Sequence, residues 1–274
     1  MFSFCQLFFH TNSDSLPPKA ESPRTANQQG INDVTYFSGA VAPVPTTRKT
    51  AYADHVAAAW RLFRSYGAVR MVETWGVDLP RGKVTDFNGA VNAGQDETVA
   101  FSWIEWPDRA TADAAWQKMR QDPAAKELPE MPFDGSRMIF GGFAPVCEAG
   151  SRDPAGYYQG FLLAVPEANR APYARMAAEA WQIFEKNGAI GMVEGWGEDV
   201  PRGKVTDFYR ATKAEAGEVP MFSWVAWPDR ATCDAGAKAM EAEMSGMEMP
   251  EMPFDGMRMM WAGFEPLFDS ATAG

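Results

Sequence analysis

The sequence predicts an α+β chain made of two copies of one β-α-β-β-α-β unit, their sheets packed against each other inside a single polypeptide. Three observations lead there. First, Glu73–Phe87 (ETWGVDLPRGKVTDF) returns as Glu194–Phe208, and Pro80–Phe87 is letter-for-letter Pro201–Phe208, a displacement of 201 − 80 = 121 residues. The same displacement carries Trp103 onto Trp224, Trp106–Thr111 onto Trp227–Thr232, and Pro129–Gly135 onto Pro250–Gly256. Second, period-two and period-3.6 apolar patterns alternate within each copy. Third, Val99–Trp106 and its copy are apolar on both faces, so both sides of the sheet need cover.

The elements follow in order. Residues 1–35 precede the repeat; Thr11–Asp33 is rich in Ser, Pro, Asn and Gln and reads as a disordered tail. The first repeat spans 36–146, a linker 147–156, the second repeat 157–268, and a short tail 269–274. Tyr36–Val44 and Tyr158–Val165 read as strands, the first weaker because Ala40-Val41-Ala42 is followed by Pro43. Thr46 or Thr47 is placed to cap a helix. Tyr52, Val56, Trp60 and Phe63 share one face of it, as do Tyr173, Ala177, Trp181 and Phe184, with Gly67 and Gly188 as stops. Ala68–Trp75 is a strand with Glu73 between Met71 and Trp75 on one face. Gly76–Gly82 is a loop, and Phe87–Ala93 is expected to be a short strand. After the Val99–Trp106 strand, Asp108 caps a second helix. Pro129–Gly135 is a rigid loop, and Arg137–Phe143 is the last strand.

Composition narrows the function. The net charge of −11 and the lack of any basic run argue against nucleic-acid binding. No stretch reaches the ~18 apolar residues of a membrane helix. Three cysteines without metal-like spacing suit a reducing compartment such as the cytoplasm.

The β-α-β-β-α-β order is the ferredoxin-like one. Two such copies, each lacking cover on one sheet face, predict a pseudo-dimeric α/β barrel within one chain, monomeric in solution. The string G-F-x-x-A-V-P, V-E-x-W-G-x-D-V-P-x-G-K-V-T-D-F, F-S-W-x-x-W-P and P-E-M-P-F-D-G-x-R-M resembles the bacterial family called domain of unknown function 1428, of the dimeric α/β-barrel superfamily. The resemblance covers nearly all of both copies. It implies the fold; the family's function is not established, and superfamily relatives range from cofactor-free monooxygenases to haem enzymes and binding proteins.

Candidate chemistry begins with Glu73 and Glu194. A carboxyl on an apolar strand face has a raised pKa and can serve as general acid or base, unless it pairs with Arg137 or Lys83 (Arg258 or Lys204 in the second copy). The loop Asp78-x-Pro-Arg-Gly-Lys83, with its copy from Asp199 to Lys204, could grip an anion, or could be a tight turn locked by Asp86 and Lys83 (Asp207 and Lys204). It is not a nucleotide P-loop, since Val84 follows Lys83. Trp75, Trp103 and Trp106, with Trp196, Trp224 and Trp227, are either pocket walls or core. His10, His55 and the cysteines have no counterparts in the other copy, so no metal site, haem ligand or nucleophile–His pair is expected twice. Two readings stand: a protein that binds or transforms a small organic molecule in the barrel without a cofactor, and a non-catalytic interaction or structural module. An open cavity touching Glu73 and Arg137 favours the first; a solid core favours the second.

Overall fold

The computed structural model describes residues 36–245 and 251–273, so the expected tail at 1–35 lies outside the described residues. The first half runs β1 (Tyr36–Pro45), α1 (Lys49–Ser65), β2 (Arg70–Asp78), α2 (Phe87–Ala90), β3 (Glu97–Trp106), α3 (Arg109–Met119), α4 (Pro123–Lys126) and β4 (Ile139–Gly150). The second runs β5 (Tyr157–Pro166), α5 (Arg170–Lys186), β6 (Gly191–Asp199), α6 (Phe208–Ala211), β7 (Glu218–Trp227), α7 (Arg230–Met244) and β8 (Met260–Asp269). All eight strands join, antiparallel to their neighbours, in one closed barrel of order β1-β3-β2-β8-β5-β7-β6-β4. Each half supplies four strands, and two seams, β2–β8 and β4–β6, stitch the halves together. Closure removes every open sheet edge.

Strand alternation divides the aromatic side chains between two environments. Phe101 and Trp103 point into the lumen, where they stack on their own counterparts: Phe101 on Phe222 at 4.3 Å and 3°, Trp103 on Trp224 at 4.3 Å and 20°. Ile104 and Trp106 point outward beneath α1 and α3, with Tyr52, Phe63, Met71 and Trp75. The lumen is therefore packed aromatic core rather than a channel.

One end of the barrel is closed by the repeated PRGKVTDF loops. Asp86 accepts from the amides of Gly89 (2.7 Å) and Gly82 (3.2 Å), which folds Phe87–Ala90 into a helical turn in place of the expected strand. A side chain at Gly82 would sit 1.8 Å from the Thr85 carbonyl oxygen, so only glycine fits this turn. Phe87 and Phe208 plug the lumen. The loops also trade bonds between halves: Thr85 Oγ1 donates to the Ala211 carbonyl (2.6 Å) and Thr206 Oγ1 to that of Ala90 (2.8 Å).

Other differences from expectation have local causes. Strand β1 is as long as β5, because Pro43 lies beyond the last β1–β4 pair, Val41 with Ile139, where no ladder bond needs its missing N–H. Thr46 does not cap α1: its hydroxyl bonds the Asp96 carbonyl, and a 3-10 turn at Thr46–Arg48 leads into the helix. Residues 147–150 of the expected linker are strand, paired with β6 up to Gly150 opposite Gly191. Asp269 ends β8, and Ser270 binds Met71 in both directions through its amide and hydroxyl, so the expected tail begins as barrel wall.

Candidate functional site

Each half buries a carboxyl between its long helix and the outer face of its sheet. In the first half β2 brings Glu73 outward, and the first turns of α1 lay Tyr52 across it. The Tyr52 hydroxyl donates to Glu73 Oε2 at 2.6 Å. The second half repeats the contact: Tyr173 donates to Glu194 Oε2 at 2.6 Å. Ser102 and Ser223 stand alongside. Ser102 reaches the Ala40 carbonyl at 3.4 Å, whereas the Ser223 hydroxyl is wholly buried against the Tyr173–Glu194 pair without a well-formed hydrogen bond.

The roof is also duplicated. Phe133, from the PEMPFDG loop, meets Tyr52 edge-on at 5.7 Å, and Phe254 meets Tyr173 at 5.8 Å. Trp75 lies 6.3 Å from Tyr52, with Lys49 Nζ 5.2 Å above its ring; Arg170 holds the same place over Trp196 at 5.3 Å. The two loops are latched differently. His55 Nδ1 bonds the Pro129 carbonyl in one half, and Asn169 Nδ2 the Pro253 carbonyl in the other, each at 2.8 Å.

Neither glutamate has the cationic partner considered for it. Arg137 grips Glu97 through two 2.7 Å bonds and Asp134 through a third, and Arg258 does the same with Glu218 and Asp255. These arginines hold the roof loop's base and depress the Glu97 and Glu218 pKa values. Lys83 and Lys204 are exposed on the floor loops. Burial therefore dominates: the Glu73 carboxyl is raised to about 7, with the Tyr52 and Ser102 hydroxyls pulling it partly back, and Glu194 is raised for the same reasons. At that value the Glu73 carboxyl holds a proton below neutrality and, once ionised above it, can accept one.

The remaining candidates scatter. Asp86 and Asp207 cap the floor turns, and Lys83 and Lys204 have no part in locking them. Asp78 and Asp199 end their strands at the two seams, opposite Gly263 and Gly142. Trp106 and Trp227 bind Ser38 and Gln159 through their indole N–H groups and are core. Trp103 and Trp224 floor a small cavity of about 10 Å³ at the open barrel end, room for about one water.

That barrel mouth holds the residues the sequence reading missed. Arg70 Nε donates to Asp269 at 2.9 Å, and its guanidinium also lies 3.7 Å from Glu105 and bonds the Arg152 carbonyl. Arg152 answers Glu105 (3.4 Å) and Glu148. Trp103 Nε1 donates to Glu105 Oε1 at 3.2 Å. By the repeat, Arg70 corresponds to Gly191 and Glu105 to Ala226. Looking for residues shared by both copies hides this cluster; a charge present in only one of two otherwise matching strands would have marked it.

Among the described residues no three His, Cys, Asp or Glu side chains gather as metal ligands, and no helix is long and apolar enough to cross a membrane. In sequence the chain is similar to uncharacterized protein YbaA of Escherichia coli K12, 52% identical over 114 residues, which are 41% of this chain and 97% of that protein. The YbaA protein of Shigella flexneri matches to the same extent. Among solved structures, an anthrone oxidase-like protein aligns at TM-score 0.50 and 11% identity, covering 86% of this chain and 93% of its own, which supports the fold alone. The family model for the protein of unknown function DUF1428 matches residues 35–135 and again 156–256, so this chain belongs to that family and carries its domain twice.

Proposed function

We propose that a small organic molecule enters between the long helix and the sheet of each half and that Glu73 or Glu194 exchanges a proton with it, without a cofactor. One observation carries this reading: in both halves a carboxyl is held under a helix by a tyrosine hydroxyl, with no cationic partner among the described residues. A purely structural carboxylate would be expected to have an Arg or Lys partner, and both types stand nearby but are engaged elsewhere or face solvent. A carboxyl raised towards neutrality is matched to general acid–base work at physiological pH. Tyr52 and Tyr173 would orient the carboxyl, Trp75 and Phe133 (Trp196 and Phe254) would contact the apolar body of the ligand, and the PEMPFDG loop would lift to admit it. We also infer that the chain acts as a monomer in a reducing compartment, since each half completes the other's barrel; the described cysteines, Cys147 and Cys233, are free thiols.

The packed lumen supports the second reading for the barrel interior itself, as a structural core. The two readings separate experimentally. Purified chain, denatured and examined by mass spectrometry, should release a stoichiometric small molecule, and the Glu73→Gln/Glu194→Gln double variant should not. If nothing is released and a panel of aromatic and aliphatic acids leaves the melting temperature unmoved, the buried carboxyls are structural.

A further inference from the structure

The repeated PRGKVTDF loop does more than the fold requires. Its glycine, threonine, aspartate and phenylalanine make the turn, the cross-half bond, the cap and the plug. Arg81, Lys83 and Val84, and their identical counterparts Arg202, Lys204 and Val205, take little part in that work. Lys83 and Lys204 are exposed, and among the described residues neither side chain makes a hydrogen bond or ion pair, although the Lys204 carbonyl accepts from Arg210 Nη1 at 3.3 Å. The Arg81 and Arg202 side chains are 75% and 65% exposed and reach their caps, Asp86 and Asp207, only at 3.8 and 4.0 Å, while the Arg202 guanidinium also lies 3.6 Å over the Tyr209 ring, leaving its outer face to solvent. Val84 and Val205 are 46% and 47% exposed, unusual for valine.

The cross-half threonine bonds bring the two loops together at one end of the barrel. With Arg210, the two loops and their caps carry five cationic side chains against four aspartates, Asp78 and Asp199 at the strand ends and Asp86 and Asp207 at the turns. Of these, Asp86 and Asp207 are already occupied by backbone amides. On a chain whose net charge is −11, this is a local concentration of exposed cations with the nearest turn carboxylates already engaged.

We propose that the paired loops form a docking surface for a short acidic segment of another protein, its carboxylates meeting Lys83, Lys204, Arg81 and Arg202 and an apolar side chain resting on the exposed valines. The charge pattern selects this partner. A long polyanion or an anionic bilayer would extend beyond a Debye length, roughly 8 Å at physiological salt, onto the acidic remainder of the chain and be repelled. The valines add apolar contact that a phosphate backbone would not use.

The test uses the full chain and a fluorescein-labelled peptide of six Glu or Asp residues flanking two Leu, read by anisotropy. Binding should weaken at least tenfold in the Lys83→Glu/Lys204→Glu variant and on raising salt from about 50 to about 300 mM, and severalfold in Val84→Ser/Val205→Ser. These side chains are exposed, so the variants should melt as the parent does. No binding, equal binding by the lysine variant, or tighter binding of duplex DNA or phosphatidylserine vesicles than of the peptide would overturn the proposal.

Discussion

The two halves match around their buried carboxyls and part company at the barrel mouth. Tyr52–Glu73 and Tyr173–Glu194 close at the same 2.6 Å, under the same aromatic roof. At the mouth the first half presents Arg70 and Glu105 where the second presents Gly191 and Ala226. Asp269 on β8 and Glu148 on β4 occupy equivalent places, so each seam delivers a carboxylate; Arg70 answers one from the neighbouring strand, and Arg152 answers the other from the connection between halves. In a two-fold dimer of identical subunits every interface change appears twice. Covalent linkage lifts that constraint, so one seam carries its ion pair within its own strands while the other takes its cation from the connection between halves. The Tyr–Glu contacts each lie within one half, although their glutamates ride on the seam strands, Glu73 opposite Phe268 and Glu194 opposite Cys147.

The largest effects should come where the halves meet as equals. Trp103→Ala and Trp224→Ala each empty half of a stacked pair in the lumen and should each lower stability by about 3–5 kcal/mol in urea unfolding. The double variant should fall short of the sum, because the second truncation removes a ring that has already lost its partner. Full additivity would mean the stack is not shared. Next comes the asymmetric seam. Arg70→Ala leaves Asp269 without its cation, while Glu105 keeps Arg152 and the Trp103 indole, and should lower stability by about 3 kcal/mol, with Asp269→Asn recovering part of it. An Arg70→Ala variant as stable as the parent would remove the mouth from the account of what joins the halves.

The fold was legible because the repeat, the doubly apolar Val99–Trp106 strand and the capped helices point the same way. Which face of that strand looks inward was not: alternation separates Trp103 from Trp106 but does not say which meets the other copy. The Phe87–Ala90 turn was missed because four residues carry no helical period; only Asp86 three residues before Gly89 hinted at a cap. Glu73 was found by its neighbours Met71 and Trp75, but its partner was not, since Tyr52 counts in sequence as one more residue on an apolar helix face. Arg137 was matched to the wrong carboxylate because Glu97 lies forty residues away at the start of another strand.

Acidity offers a finer comparison of the two buried carboxyls. Glu73 titrates near 7 in the folded chain and near 4.3 in the unfolded one, so between those values the folded state holds the extra proton. That contribution is fully present below about pH 4 and is lost as pH rises through 7. Glu73→Gln should therefore match the parent at pH 5 and exceed it at pH 8, by on the order of 1–3 kcal/mol. Glu194→Gln should shift in the same direction. Urea unfolding of both variants and the double variant across pH 5–8 decides this; a parent whose stability does not fall between pH 5 and 8 would show a carboxylate already ionised at low pH and stabilised by a cation.

The smallest expected effect tests the floor, where the halves look most alike. Thr85→Val and Thr206→Val keep the side-chain shape and remove one hydroxyl each, the one that crosses to the other half. A single hydrogen bond of this kind contributes about 1 kcal/mol. The two need not be equal. Thr206 is buried and bonds the buried Ala90 carbonyl, so its loss leaves a dry acceptor; Thr85 is partly exposed, and water can replace it at the Ala211 carbonyl. Thr206→Val should therefore lower stability by about 1–2 kcal/mol and Thr85→Val by less than about 1 kcal/mol. Calorimetry of the double variant adds the sharper reading. If the floor bonds help the halves melt together, they are only two bonds beside two complete strand seams, so one cooperative transition should persist at a lower temperature. Two separated peaks would mean that the floor, rather than the seams, makes one barrel of the two copies.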